Sequence, residues 1–185
     1  MDEGQRIHKV LKGDTSAFGY FVDTYQDMAV TIAYRICGNR QDAEDIVQNA
    51  FVKAFHNLHT FRSASKFSTW FYRIVYNTAL SETKGVFHHT EFVDYKVMDT
   101  NPAYSEFDTM VQIEENERKE MVDQALAKMP NDESVLLTLY YLEDNSIKDI
   151  VQITGMTEAN VKVKLFRARK RFADILSSRM KQEYA

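Results

Sequence analysis

Residues that break helices are rare along this chain, which has two prolines and six glycines in 185 residues. Proline and glycine disfavour helix interiors, and most of these glycines fall where apolar patterns of helical spacing stop. Apolar residues make up 44% of the chain, enough to form a buried core. The sequence therefore predicts a folded, all-α protein.

Apolar periodicity divides the chain into two helical halves. In the N-terminal half it predicts helices over 3–12, from a cap at Asp14 or Thr15 to about Cys37, over 39–58 and from a cap at Ser68. In the C-terminal half it predicts helices over 108–128 and 132–143, followed by two shorter ones. Residues 85–110 lack periodicity and are acidic, which is typical of a linker. We expect a domain over 1–84, a flexible linker over 85–110 and a domain over 111–185.

Charge is distributed unevenly along the chain, whose net charge is −4. Residues 90–149 carry five Lys and Arg against fifteen Asp and Glu, a net charge of −10. Residues 150–185 carry eight basic against three acidic side chains, a net charge of +5. A basic segment on an acidic protein indicates a polyanionic partner, although a solvated helix face has the same composition.

Several classes of site are excluded by the sequence. No apolar run is long enough to span a membrane and no export signal begins the chain, so we expect a cytoplasmic protein without membrane insertion. The single Cys37 cannot form an internal disulfide, and the five histidines lack the pattern of a metal site. A phosphate-binding loop and an activated nucleophile are also missing from the sequence. We therefore expect no metal, no cofactor, no catalytic residue and no enzyme activity.

The segment 61–80, FRSASKFSTWFYRIVYNTAL, combines aromatic rings with cations. Helical spacing places one set of residues on an apolar stripe: Phe67, Trp70, Phe71, Ile74 and Thr78. It turns a second set toward solvent: Tyr72, Arg73, Tyr76 and Asn77. Rings beside cations suit single-stranded nucleic acid, because bases stack on the rings while the charges follow the phosphates. Aromatic residues can equally fill a core, and this segment alone does not decide between the two interpretations.

The same segment resembles region 2 of the extracytoplasmic-function sigma factors of bacterial RNA polymerase. The similarity lies in the order F-R, a short polar loop, F-x-T-W-F-Y-R-I and an Asn three residues later. In that family the loop and the helix after it hold a base flipped out of the promoter minus-ten element, a step that costs stacking energy. The resemblance implies that role for seven residues: Arg62, Ser65, Lys66, Tyr72, Arg73, Tyr76 and Asn77. The family's loop commonly reads R-G-[DE]-[SA], whereas this chain has Arg62-Ser63-Ala64-Ser65-Lys66.

The segment 39–58 predicts an amphipathic helix. Its apolar face comprises Val47, Ala50, Phe51, Ala54, Phe55 and Leu58. A soluble surface with an acidic first turn accounts for the polar face on physical grounds. The sequence DAEDIVQNAF is also similar to the sigma segment that docks on the clamp helices of the polymerase β′ subunit. The resemblance implies polymerase binding by Asp42, Asp45, Gln48 and Asn49.

The C-terminal segment predicts a helix-turn-helix. A capping-box pattern begins at Ser146, Gly155 follows, and Thr157 can cap a second helix. That helix has a buried stripe of Val161, Leu165, Ala168, Phe172 and Leu176. Its candidate DNA contacts are Asn160, Lys162, Lys164, Arg167 and Arg169. The segment resembles sigma region 4, which implies that it binds the minus-thirty-five element.

These observations predict a two-domain sigma factor that binds core RNA polymerase, recognises a promoter and melts its minus-ten element. The resemblance implies contacts with the β′ clamp helices, the β subunit and promoter DNA, and it leaves an anti-sigma factor open as a further partner. The alternative is a helix-turn-helix regulator with an N-terminal helical sensor or dimerisation domain. That alternative explains the basic C-terminal segment but not aromatic rings turned toward solvent.

Overall fold

A computed structural model describes the backbone of residues 2–83 and 115–183, and the side chains of residues 2–83 and 119–178. Within these ranges the chain forms eight α-helices and no strand: α1 (Glu3–Leu11), α2 (Gly19–Cys37), α3 (Arg40–Asn57), α4 (Phe67–Glu82), α5 (Glu115–Ala127), α6 (Asn131–Leu137), α7 (Ile147–Thr154) and α8 (Glu158–Glu183). The predicted all-α fold is confirmed. Helices α1–α4 form an N-terminal unit and α5–α8 a C-terminal unit. The predicted linker over 85–110 and a helix start at 108 lie outside the described residues.

Aromatic packing between α2, α3 and α4 forms the core of the N-terminal unit. The rings of Phe51 and Phe71 stack with centroids 4.4 Å apart, and those of Phe21 and Phe67 lie 4.3 Å apart. The predicted buried face of α3 is confirmed except for Phe55, which is half-buried. Since the four paired rings come from three helices, their burial fixes the position of α4 against the unit.

Backbone conformation sets the ends of these helices. Gly38 ends α2 in the left-handed conformation, with φ of 74°, and the Asn39 side chain accepts hydrogen bonds from the first turn of α3. The predicted Ser68 cap is wrong. Because Lys66 already has the extended conformation of an N-cap, α4 begins at Phe67 and Ser68 lies inside the helix. The predicted single helix from Asp14 or Thr15 instead opens with a 3-10 turn over Thr15–Phe18, and α2 follows it.

The C-terminal unit contains the predicted helix-turn-helix, formed by α7 and α8. Ser146 and Asp149 make the capping box of α7, Gly155 ends that helix with φ of 73°, and the Thr157 hydroxyl accepts from the Asn160 N–H at 3.2 Å. The stripe on α8 is buried from Val161 to Phe172, while Leu176 is half-buried. The predicted helix over 132–143 is shorter, because α6 passes into a π-helical turn over Thr138–Leu142.

The two units contact each other along α4 and α7 and along α2 and α6. Three side chains of the N-terminal unit donate to carboxylates of the C-terminal unit across this interdomain seam. Arg35 Nη2 lies 2.5 Å from Asp123 Oδ1, Thr69 Oγ1 lies 3.2 Å from Asp149 Oδ1, and Tyr72 OH lies 3.0 Å from Glu143 Oε2. A fourth contact runs the other way, from Asn131 Nδ2 to the carbonyl of Ile36 at 2.9 Å. In this arrangement α4 is covered on two sides.

The capping box of α7 provides a test of the fold. Replacing Ser146 with Ala removes the acceptor for the Asp149 N–H and one of the donors to the half-buried Asp149 carboxylate. We expect the free energy of unfolding to fall by about 1 kcal/mol, measured by urea denaturation of the full chain. Ser178→Ala is the control, because that hydroxyl only donates back to the Asp174 carbonyl within α8 and its loss should be nearly neutral. Equal midpoints for both variants would show that the capping box does not stabilise the chain.

Candidate nucleic-acid interface

Two of the tyrosines expected to face solvent on α4 are buried. Tyr72 is 1% exposed and Tyr76 is 4% exposed, so the predicted outward orientation of both rings is wrong. Tyr72 packs edge-on against Tyr25 of α2 and donates to Glu143 across the seam. The part of this side of α4 that carries Tyr72 and Tyr76 is therefore buried, between α2 and the C-terminal unit, while Arg73 and Asn77 stay exposed. As a consequence neither ring offers a free face for base stacking in this arrangement.

Burial also fixes the protonation of these groups. It raises the pKa of the Tyr72 hydroxyl, and the charge of the Glu143 carboxylate raises it further. Burial raises the pKa of Tyr76 to about 12. Burial raises the pKa of the Glu143 carboxyl as well, and the Tyr72 hydrogen bond and the Lys66 charge partly offset this rise. Both tyrosine hydroxyls thus remain protonated at physiological pH, and that of Tyr72 donates to Glu143.

The remaining predicted minus-ten residues lie on an accessible edge of the N-terminal unit. Arg73 and Asn77 are exposed one turn apart on α4, and Arg62 and Lys66 are exposed in the loop before it. In the same loop Ser65 is half-buried and Ser63 has φ of 54°, a left-handed conformation uncommon for serine. Three cations and one amide therefore border α4, an arrangement that can contact phosphates and one base edge.

The outer surface of α3 is a separate polar patch on the unit, which we call the α3 face. Asp42, Asp45, Gln48 and Asn49 are all exposed there, as the sequence predicts. The Asn49 amide donates to Glu82 Oε1 of α4 at 3.3 Å, so one member of the patch is held by the neighbouring helix. The α3 face lies apart from the seam, because the C-terminal unit packs on α2 and α4.

The candidate DNA contacts on α8 fall into two groups. Lys162 and Arg167 are exposed, and Lys162 pairs with Glu158 one turn earlier at 2.8 Å. Lys164 is half-buried and forms an ion pair with Asp132 of α6. Arg169 is half-buried and lies over the Tyr140 ring, 5.3 Å from its centroid. Asn160 is half-buried, and its backbone N–H completes the cap at Thr157. Part of the predicted basic face thus holds α8 against α6 and the π-helical turn.

Sequence periodicity missed two exposed apolar side chains. Val52 is 56% exposed on the α3 face, and Phe166 is 46% exposed on α8. Phe166 lies four residues after Lys162 and four before Lys170, which is also exposed, so the three share one surface of the helix. Each of them can be recognised in the sequence as an apolar residue at a helix position outside the buried stripe.

The described ranges hold no cluster of three metal-ligating side chains and no helix long and apolar enough to cross a membrane.

Comparison with known families assigns both units. Sigma-70 region 2 matches residues 21–84, and sigma-70 region 4 matches residues 119–172. The chain is 31% identical to the ECF RNA polymerase sigma factor SigW of Bacillus subtilis, over 90% of this chain and 92% of that protein. It is 32% identical to the RNA polymerase sigma-H factor of Pseudomonas aeruginosa, over 90% of this chain and 89% of that protein.

Solved structures agree at the level of the fold. CnrH, solved in complex with the cytosolic domain of CnrY, superposes with a TM-score of 0.63 at 19% identity, covering 94% of this chain and 96% of CnrH. The sigma factor RpoE of Bartonella quintana, solved with the anti-sigma factor NepR, has a TM-score of 0.58 at 20% identity, over 86% and 96% of the two chains. These similarities support the helical architecture across both units.

The ion pair between Lys164 and Asp132 provides a test of whether Lys164 holds α8 against α6. Lys164→Ala leaves the half-buried Asp132 without its cation, so we expect a loss of about 1–3 kcal/mol in the free energy of unfolding. Lys162→Ala removes an exposed pair with Glu158 and should cost at most about 0.5 kcal/mol. Urea denaturation of both variants measures the difference. Equal stability would mean that Lys164 does not hold α8 on α6.

Proposed function

This chain belongs to the extracytoplasmic-function sigma factors, and we propose that its two units divide promoter recognition between them. It directs bacterial RNA polymerase to promoters. We propose the division that the sequence predicts: residues 1–84 bind the core enzyme and the minus-ten element, residues 85–110 link the domains, and residues 111–185 bind the minus-thirty-five element. The observation that carries the proposal is the presence of sigma regions 2 and 4, in that order, on one chain.

For the α3 face we propose docking on the clamp helices of the polymerase β′ subunit. Its two acids and two amides are exposed, and none belongs to the buried stripe of the helix. The exposed Val52 adds an apolar element to the patch. A polar rim beside a small apolar contact is the usual composition of a protein–protein interface.

For α4 and the loop before it we propose capture of an unpaired minus-ten base and promoter melting. Asn77 can donate to and accept from a base edge, while Arg62, Lys66 and Arg73 can follow the strand. Ser65 borders the same loop. We propose roles in this site for Tyr72 and Tyr76 also, but both rings must first be uncovered.

For α8 we propose contacts with duplex DNA at the minus-thirty-five element. Lys162 and Arg167 are exposed and lie in the first half of the helix after the turn, where a recognition helix meets the major groove. Asn160, Lys164 and Arg169 remain proposed contacts that are now half-buried. The acidic sequence as a whole is compatible with DNA binding, because the positive charge is concentrated at this end.

The related proteins are sigma factors, a class that acts by binding, and we propose that this chain likewise performs no chemistry, binds no cofactor and works in the cytoplasm with the polymerase. The proposed partners are core polymerase through its β′ and β subunits, promoter DNA and an anti-sigma factor. A regulator with an N-terminal sensor or dimerisation domain is not supported, because the N-terminal unit matches sigma region 2. Run-off transcription with core polymerase and genomic promoter fragments tests the proposal, and promoter-specific transcripts should depend on the added chain.

The proposed polymerase contact predicts the effect of a charge reversal on the α3 face. Asp45→Lys should weaken binding to core polymerase at least tenfold in a titration with labelled chain, without a change in the melting temperature. Asp23→Lys is the matched control, since Asp23 is also exposed but lies on α2. Equal affinity of the two variants would remove the α3 face from the interface.

The proposed base pocket predicts a defect in promoter opening. Asn77→Ala removes hydrogen bonds made to the unpaired base, worth about 1–3 kcal/mol, so opening measured with a fluorescent base in the minus-ten element should slow by tenfold or more. Binding to core polymerase should be normal, and a pre-opened template should restore only part of the activity. Gln26→Ala, an exposed amide on α2, is the control. If Asn77→Ala lowers the melting temperature and leaves opening unchanged, Asn77 has a structural role.

A further inference from the structure

A crevice lies between α2 and α3 of the N-terminal unit and α5 of the C-terminal unit. Its cavity volume is about 630 Å³, which is within the usual size of a small-molecule site. Tyr34 and Arg35 of α2, Arg40 in the first turn of α3, and residues of α5 from Lys119 to Ala127 line it. The lining shares no residue with the three interfaces proposed above, so the crevice is a feature that those interfaces leave unexplained.

Arg35 is the buried charge of this crevice. Its side chain is 5% exposed, and its Nη2 donates to Asp123 Oδ1 of α5 at 2.5 Å. The Asp123 side chain is 52% exposed, so water screens the charge of the acid while the arginine has lost its own hydration. The Nε of Arg35 is also buried, and no acceptor for it lies among the residues that the structure describes. Since an unpaired buried N–H is costly, the described residues compensate this cation only in part.

Two further cations line the crevice at exposed positions. Arg40 is 81% exposed and uses one of its five N–H donors, that on Nε, toward Glu44 at 2.9 Å. Lys119 of α5 is exposed as well. Among the acids of the lining, Glu120 already accepts a hydrogen bond from Gln124 at 3.0 Å. Three cations from three helices therefore meet in one cavity whose acids are engaged, and this composition favours an anion over a cation.

The rest of the lining includes apolar and aromatic groups. Val30 and Tyr34 are half-buried one turn apart on α2, and Ala127 lies on α5. The Arg35 guanidinium carbon is 5.9 Å from the centroid of the Tyr34 ring, so the charged and aromatic parts of the cavity adjoin. An apolar wall with a few convergent polar groups is the usual composition of a site for a small organic ligand.

We propose that this crevice binds a small organic anion, whose phosphate or carboxylate group pairs with the three cations and whose ring or apolar part packs beside Tyr34. The anion accepts from Arg35 Nε and so supplies the compensation that Asp123 gives only in part. Because the lining combines α2 and α3 with α5, the bound anion contacts both units. The proposal is independent of the proposed function, since neither polymerase nor DNA takes part in it.

An NMR titration of the ¹⁵N-labelled full chain tests the site with three probes: phenyl phosphate, benzoate and phenol. At least one of the two anions should shift the amide signals of Tyr34, Gln124 and Ala127 saturably, with a dissociation constant of about 1 mM or below. Phenol, which has the ring without the charge, should not saturate. The anion that binds more tightly identifies phosphate or carboxylate as the preferred group. The proposal is overturned if neither anion gives saturable shifts at these amides, or if phenol binds as tightly as the anions.

Charge variants at exposed positions test whether the anion occupies this crevice. Arg40→Gln with Lys119→Gln should weaken binding of the tighter anion by about tenfold or more, because both donors are charged. Lys9→Gln with Lys12→Gln removes the same net charge from exposed positions on α1 and is the matched control. Glu120→Gln should instead tighten binding, because it removes an acid from the lining. Equal affinities of the double variant and its control, or weaker binding by Glu120→Gln, would place the anion elsewhere.

The role of the buried cation is tested by Arg35→Lys. Lysine keeps a positive charge beside Asp123 but lacks the Nε donor, so a folded variant should bind the tighter anion about tenfold more weakly. Unchanged affinity, with a circular dichroism spectrum like that of wild type, would overturn the proposal. If Arg35→Lys unfolds the chain, the pair of exposed variants at Arg40 and Lys119 decides the outcome, since neither side chain belongs to the core.

Discussion

The burial of α4 on two sides is the constraint on which the rest of the arrangement depends. One side of the helix supplies Phe67 and Phe71 to the aromatic core, where they pack against Phe21 and Phe51. The other side supplies Thr69 and Tyr72 to the seam. Because the aromatic core fixes the position of α4 within its own unit, the helix offers the C-terminal unit a rigid surface. The exposed edge with Arg73 and Asn77 is what remains between these two buried sides.

The two buried sides of α4 differ in the interactions that hold them. The aromatic core is apolar and close-packed, and removing one of its rings would cost about 3–5 kcal/mol. At the seam, apolar packing continues between the units and is joined by hydrogen bonds to carboxylates, each of which contributes about 1–3 kcal/mol net. Asp123 is half accessible to solvent, with 52% of its side chain exposed, and so the pair with Arg35 lies at the weaker end of that range. Contact between the units therefore combines apolar burial with hydrogen bonds of modest individual strength.

Local sequence patterns predicted those parts of the fold that local interactions determine. The stripe on α3, the capping box at Ser146 and the turn at Gly155 each depend on residues within a few positions of one another, and all three are confirmed apart from Phe55 in the stripe. The prediction that Tyr72 faces solvent was wrong because its partner, Glu143, lies 71 residues away in the sequence. Apolar periodicity identifies one buried stripe on a helix, but it does not reveal a second domain that covers another side. The prediction of Ser68 as the N-cap was wrong because several polar residues precede the apolar part of α4, and composition does not decide which of them takes the N-cap position. On α8, charge alone identified Lys164 as a cation without revealing Asp132 as its partner.

The π-helical turn over Thr138–Leu142 has a consequence for how the two units are coupled. A π turn accommodates one more residue than an α turn, so side chains beyond it are rotated relative to those before it. Leu136 and Leu139 lie in the core of the C-terminal unit, Glu143 points at Tyr72, and Asn145 closes the segment by donating from both its backbone and its side chain to the Leu139 carbonyl. The extra residue in the π turn thus sets the angle around the helix axis between the buried leucines and Glu143. Chain length at this one turn therefore contributes, together with the side chains themselves, to whether Glu143 meets the Tyr72 hydroxyl.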